Sequence, residues 1–72
     1  MSELLNSLKD LRAARGLTQA ALADQVGVSR KTINTIENRV FVPSTVLALR
    51  LAEVLEVSVH EVFQLADPEG DA

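Results

Sequence analysis

The 72-residue chain has no cysteine, no tryptophan and no tyrosine. Without cysteine, disulfides and thiolate metal sites are excluded, which fits a reducing compartment. Two phenylalanines are the only aromatic residues, so aliphatic side chains must fill the interior. No stretch approaches the roughly 18–20 apolar residues of a membrane span. The opening MSELLNSLKD lacks the basic segment and apolar run of a signal peptide. The expectation is a soluble, cytoplasmic protein with no membrane association. His60 is the single histidine, with no second histidine or cysteine to complete a metal site. It reads as a surface residue, or as a pH switch at a contact between copies. It has no nucleophile–base spacing with a serine, and no phosphate-binding loop is present, so an enzyme is not expected. Neither a cofactor nor a small-molecule ligand is implied.

Basic residues are absent from 51–72. That segment holds six acids and a net charge of −6, while residues 1–50 hold all seven Lys and Arg with four acids, a net +3. The overall pI near 4.9 therefore describes neither half. Apolar residues make up 47% of the chain, enough for one small core. The organisation expected is one domain over 1–66 and an acidic disordered tail over 67–72. A chain this short gains from pairing with a second copy.

The pattern predicts an all-α protein of five short helices and no strands. Leu4, Leu8 and Leu11 recur at helical spacing, with a start at Ser2 or Glu3 and a stop at Gly16. Thr18 caps a second helix that Gly27 ends. Only Val28 separates Gly27 from Ser29, which caps a third helix over about 29–37. Two short helices joined by a tight glycine-containing turn are the signature of a helix-turn-helix. Pro43 and Ser44 precede a fourth helix with a wide apolar stripe. Ser58, with Glu61 three residues on, opens a last helix, SVHEVFQL, through a capping box.

On a wheel of about 100° per residue, Ile33 and Ile36 occupy one side of the third helix. Lys31, Asn34, Thr35 and Asn38 occupy the other, and Arg30 lies in the first turn. Amide and cationic groups match base edges in a DNA major groove, asparagine suiting adenine and Arg or Lys suiting guanine. A plain solvated face is the alternative. Arg12 flanks the first helix's apolar side as Glu37 flanks that of the third.

The series Thr18-Gln19, Leu22-Ala23, Val26-Gly27-Val28-Ser29, Thr32-Ile33 and Ile36-Glu37-Asn38 resembles the lambda-repressor-like, Xre-type helix-turn-helix family. Pro43-Ser44 and Val57 to Phe63 extend the likeness to about residues 4–65. The resemblance implies a five-helix domain that binds double-stranded DNA as a bacterial, archaeal or phage-encoded transcriptional regulator, a repressor acting as a homodimer at a palindromic operator. It assigns base contacts to Ser29, Arg30, Lys31 and Thr35, to which the exposed Asn34 is added. Phosphate contacts fall to Thr18, Gln19, Thr32, Asn38 and Arg39. Arg12 and Glu37 would form a structural ion pair, with Arg12 as a phosphate ligand the alternative. The family commonly has glycine where this chain has Arg39. Val40, Phe41 and Val42 are unusual for a connecting loop. Phe41 and one valine pack under the fourth helix, or the loop makes a dimer contact with Val40, Phe41, Val59, Val62 and Phe63, or both hold. An antitoxin or coactivator built on the same fold is the alternative function.

Overall fold

Asn6 decides where the first helix begins. Its Oδ1 accepts from the Leu8 N–H at 3.1 Å, and its Nδ2 donates to the Ile36 carbonyl at 3.0 Å. A side chain that bonds the backbone two residues on competes with a helical turn. In the computed structural model, which describes residues 3–66, the chain therefore opens with a short strand, β1 (Leu4–Asn6), and not with helix. Five helices follow: α1 (Leu8–Ala14), α2 (Gln19–Val26), α3 (Arg30–Glu37), α4 (Thr45–Leu55) and α5 (Val59–Val62). A second strand, β2 (Phe63–Leu65), pairs antiparallel with β1, placing Leu4 opposite Leu65 and Asn6 opposite Phe63. The ladder is bracketed by Ser7 N–H to Val62 C=O at 2.9 Å and Ala66 N–H to Glu3 C=O at 2.7 Å. The fold is helical as expected, but both its ends depart from the helix pattern. The leucine spacing at 4, 8 and 11 mimics one helix, and the last helix stops at Val62, where Phe63 turns extended at φ −125. Gln64 then folds back, donating to the His60 and Glu61 carbonyls at 2.7 and 3.0 Å, and closes the helix end. The tail expected at 67–72 lies outside the described residues. No helix among the described residues is long and apolar enough to cross a membrane.

The starts of the middle helices follow their caps. Thr18 Oγ1 accepts from Ala21 N–H at 3.0 Å, Ser29 Oγ from Thr32 N–H at 3.2 Å and Ser44 Oγ from Leu47 N–H at 3.1 Å. Each satisfies a backbone donor that the helix leaves open.

Four helices share one ending. A left-handed residue folds the chain back, its N–H and the next one bonding carbonyls of the last turn, the Schellman arrangement. Gly16 and Gly27 fill this position after α1 and α2, with φ of 69 and 77. Arg39 and Glu56 fill it after α3 and α4, with φ of 63 and 58. Around Arg39 the bonds are Arg39 N–H to Ile36 C=O and Val40 N–H to Thr35 C=O, both 2.9 Å. Glycine adopts this geometry freely, while a side chain makes it cost roughly 1–2 kcal/mol. The apolar residue that follows is Leu17, Val28, Val40 or Val57. Leu17, Val28 and Val57 pack on the core, whereas Val40 is 76% exposed.

The core is aliphatic, centred on Leu8, Leu22, Ile33, Ile36, Leu51, Leu55 and Val62, all fully buried. It holds α2 and α3 against each other and α4 behind α2.

Candidate nucleic-acid interface

Ile33 and Ile36 anchor α3 to the body, so its opposite face is presented to solvent. Arg30 and Lys31 are exposed at its first turn and form no ion pair among the described residues. Asn34 and Thr35 are half-buried along the middle, and Asn38 is exposed at the end. The polar groups of this ridge are partly pre-arranged. Asn38 Nδ2 donates to Asn34 Oδ1 at 2.7 Å, which leaves the Asn34 amide hydrogens and Asn38 Oδ1 facing outward chemistry. Thr35 Oγ1 donates to the Lys31 and Thr32 carbonyls, both at 3.0 Å. Its hydroxyl hydrogen is thereby committed to its own helix, and its methyl and the oxygen's lone pairs are what remain for a ligand. Ser29 and Thr32 share a hydroxyl–hydroxyl bond of 3.0 Å at the helix cap.

Beside this ridge, Thr18 and Gln19 open α2. Gln19 Nε2 donates to Glu37 Oε1 at 3.0 Å. Glu37 also receives Arg12, Nε to Oε2 at 2.6 Å and Nη2 to Oε1 at 3.1 Å. Arg12 Nη1 continues to the Leu17 carbonyl at 2.9 Å. The Arg12 and Glu37 side chains are only 13% and 4% exposed, so this is an ion pair held largely out of water. Burial alone pushes the Glu37 carboxyl up. The hydrogen bonds from Arg12 and Gln19, with the charges of Arg12 and Lys9, outweigh it and hold the carboxyl below its ordinary value. The bond to Glu37 holds the Arg12 guanidinium above its ordinary value against an opposing burial effect. The one acid of α3 is thus turned inward and does not oppose an anion on the outer face. Arg12, with its donors directed at Glu37 and Leu17, is a girder between α1 and α3.

Arg39 takes the left-handed geometry in place of glycine, and its Nη2 pairs with Glu3 Oε1 at 2.7 Å. It sits at the edge of the ridge as an exposed cation already holding a carboxylate. One residue and one contact went unmarked in the sequence. Lys9, one turn before Arg12 on α1, is near enough for its charge to act on Glu37; the 9/12 spacing was the available sign. The Gln19–Glu37 bond joins residues 18 apart, and no local pattern signals it.

The loop after α3 differs from the packing reading. Val40, Phe41 and Val42 are all exposed or half-exposed, because Leu47, Leu51 and Leu55 already close the core beneath α4. Val62 and Phe63 belong to that core, Val62 fully buried and Phe63 nearly so, while Val59 is half-buried against it. A contact surface built on Val62 and Phe63 is therefore corrected.

The helix-turn-helix family model HTH_3 matches residues 8–62, from the first residue of α1 to the last of α5. The chain belongs to the helix-turn-helix family of transcriptional regulators. Members of this family bind DNA and are not enzymes. The chain is 39% identical over 62 residues to the HTH-type transcriptional regulator YgzD of Bacillus subtilis, covering 86% of this chain and 94% of that one. It is 42% identical over 64 residues to the HTH-type regulator MJ0272 of Methanocaldococcus jannaschii, covering 89% and 97%. Among solved structures, the biofilm regulator SinR in complex with DNA superposes with a TM-score of 0.69 at 31% identity, over 74% of this chain and 86% of that chain. In the helix-turn-helix frame, α2 and α3 are the two helices of the motif, and Gly27 to Ser29 are its turn.

Proposed function

We propose that this protein binds double-stranded DNA sequence-specifically, with α3 in the major groove, and represses transcription as a homodimer at a palindromic operator. The observation that carries the reading is the two-sidedness of α3. Ile33 and Ile36 lock it to the core, while Lys31 stands exposed on the opposite face and Arg30 on its flank, both without an ion-pair partner among the described residues. The likeness to a regulator solved in complex with DNA supports it.

Arg30 and Lys31 suit guanine O6 and N7, and Asn34 suits the adenine edge. Thr35 would offer its methyl to thymine, and Ser29 would contribute only what its cap and Thr32 leave available. Thr18, Gln19, Thr32, Asn38 and Arg39 would hold phosphates, with Glu37 fixing the Gln19 amide. Phosphate contacts supply affinity and base contacts supply specificity. One α3 reads too few bases to select a site, so two copies about 34 Å apart on successive major grooves would be needed. Binding to an operator-containing duplex should weaken steeply with salt as counterions are released. The test is a fluorescence titration at several salt concentrations with wild type and Lys31→Ala. A binding constant indifferent to salt, or unchanged in Lys31→Ala and Arg30→Ala, would reject α3 as the reading surface.

A further inference from the structure

The surface of α4 opposite the core has an arrangement that α3 and its DNA reading leave unused. Val46, Leu49, Arg50 and Glu53 form one exposed stripe, directly across the helix from the buried Leu47, Leu51 and Leu55. Val46 is 59% exposed and Leu49 54%. The Val40 to Val42 loop, which precedes α4 in the chain, is exposed as well: the apolar residue after its Schellman turn fails to tuck into the core as its three counterparts do. The Arg50 and Glu53 side chains make no ion pair among the described residues.

We propose that this stripe of α4 is the surface by which two copies of the chain pair, antiparallel, about a two-fold axis perpendicular to the helix. The assignment rests on the homodimer reading above and names its surface. The charges select both the partner and the direction. Arg50 and Glu53 lie one turn apart with opposite sign, so a second copy turned end for end sets Arg50 against the partner's Glu53, twice over. A parallel pair would set Arg50 on Arg50 and Glu53 on Glu53. In an isologous interface the same patch must complement itself, and this patch does. Val46 and Leu49 lie on the same exposed stripe as the two charges, so the same contact would cover them.

Sedimentation equilibrium without DNA tests the proposal. Arg50→Glu and Glu53→Arg change exposed residues, and each variant's fold is checked by its circular dichroism melt. Each should weaken self-association by about tenfold or more, because two attractions become two repulsions. The double swap R50E/E53R should restore it. An equimolar mixture of the two single variants should form a one-to-one pair, since one chain then carries two acids and the other two bases. Leu49→Lys should also weaken association. Single variants that dimerise like wild type would overturn the α4 surface and leave the homodimer reading standing. Single variants that weaken without rescue by the swap would overturn the antiparallel register. A wild type that stays monomeric free and on operator DNA would overturn the homodimer reading itself, and would reassign the stripe to a different protein.

Discussion

Replacing Arg12 by methionine should destabilise the protein by about 3 kcal/mol, a large part of its total. The side chain is almost isosteric along its stem, so the lost quantity is charge and hydrogen bonding. Glu37, 4% exposed, would keep its negative charge with only Gln19 donating to it. Stranding one member of a buried pair costs about 3–5 kcal/mol. The surviving Gln19 bond argues for the low end. Loss of the donor to the Leu17 carbonyl adds about 1 kcal/mol, partly recovered by water. A domain of this length holds about 4–11 kcal/mol in all, so a urea melt at pH 7 should show a sharply lowered midpoint. The double variant Arg12→Met/Glu37→Leu removes the stranded charge and should return to within about 1 kcal/mol of wild type, since apolar replacements of buried pairs are often neutral. A single variant that costs less than about 1 kcal/mol, or a double variant as unstable as the single, would refute the argument. The double variant would still leave the Gln19 amide unfixed, so its DNA affinity should fall even where its stability recovers.

The same pair sets a pH dependence. The folded Glu37 carboxyl is held below its ordinary value of 4.5, so the unfolded chain binds its proton more readily. Its stabilising contribution is complete above that value and is lost as pH falls through the folded value; Glu37→Gln should flatten this acid limb in melts taken from pH 7 to pH 3. Arg39→Gly should raise stability by about 0.5–1 kcal/mol, a rise in Tm of about 2–8 °C, by relieving the left-handed side chain. The exposed pair with Glu3 that it sacrifices is worth little, and a lowered Tm in calorimetry would contradict the assignment of strain. Asn34→Ala should weaken binding to a preferred duplex about tenfold or more while moving the urea midpoint hardly at all; an equal loss on every duplex would mark Asn34 as a phosphate contact.

What could be read from the residues was what local chemistry fixes. Thr18, Ser29 and Ser44 are caps because a short side chain meets an open N–H three residues on, and that is visible in sequence. Gly16 and Gly27 likewise announce left-handed turns. Arg39 and Glu56 adopt the same geometry without any residue that favours it, and only the departure from the family's glycine marked Arg39 in advance. The β1–β2 pairing joins Leu4 to Leu65 across almost the whole chain, and no window of helical periodicity contains it. The leucine series at 4, 8 and 11 pointed the wrong way because Leu4 also fits a strand, and Asn6 broke the turn. In the site, the outward face of α3 followed from its wheel. The hydrogen bonds that engage Thr35 and Ser29 with their own helix depend on rotamers, and so did not. The exposure of Val40 to Val42 was only one of two readings in the sequence, since an apolar triplet also reads as core until the core is seen to be closed by α4.

The central claim is that α3 reads DNA in sequence. Selection from a random pool of duplexes by wild type and by Arg30→Ala/Lys31→Ala tests it most directly. Enrichment of an inverted repeat with half-sites about one helical turn apart, lost in the double variant, is the expected result. A folded wild type that enriches no sequence, or a double variant that enriches the same one, would contradict it.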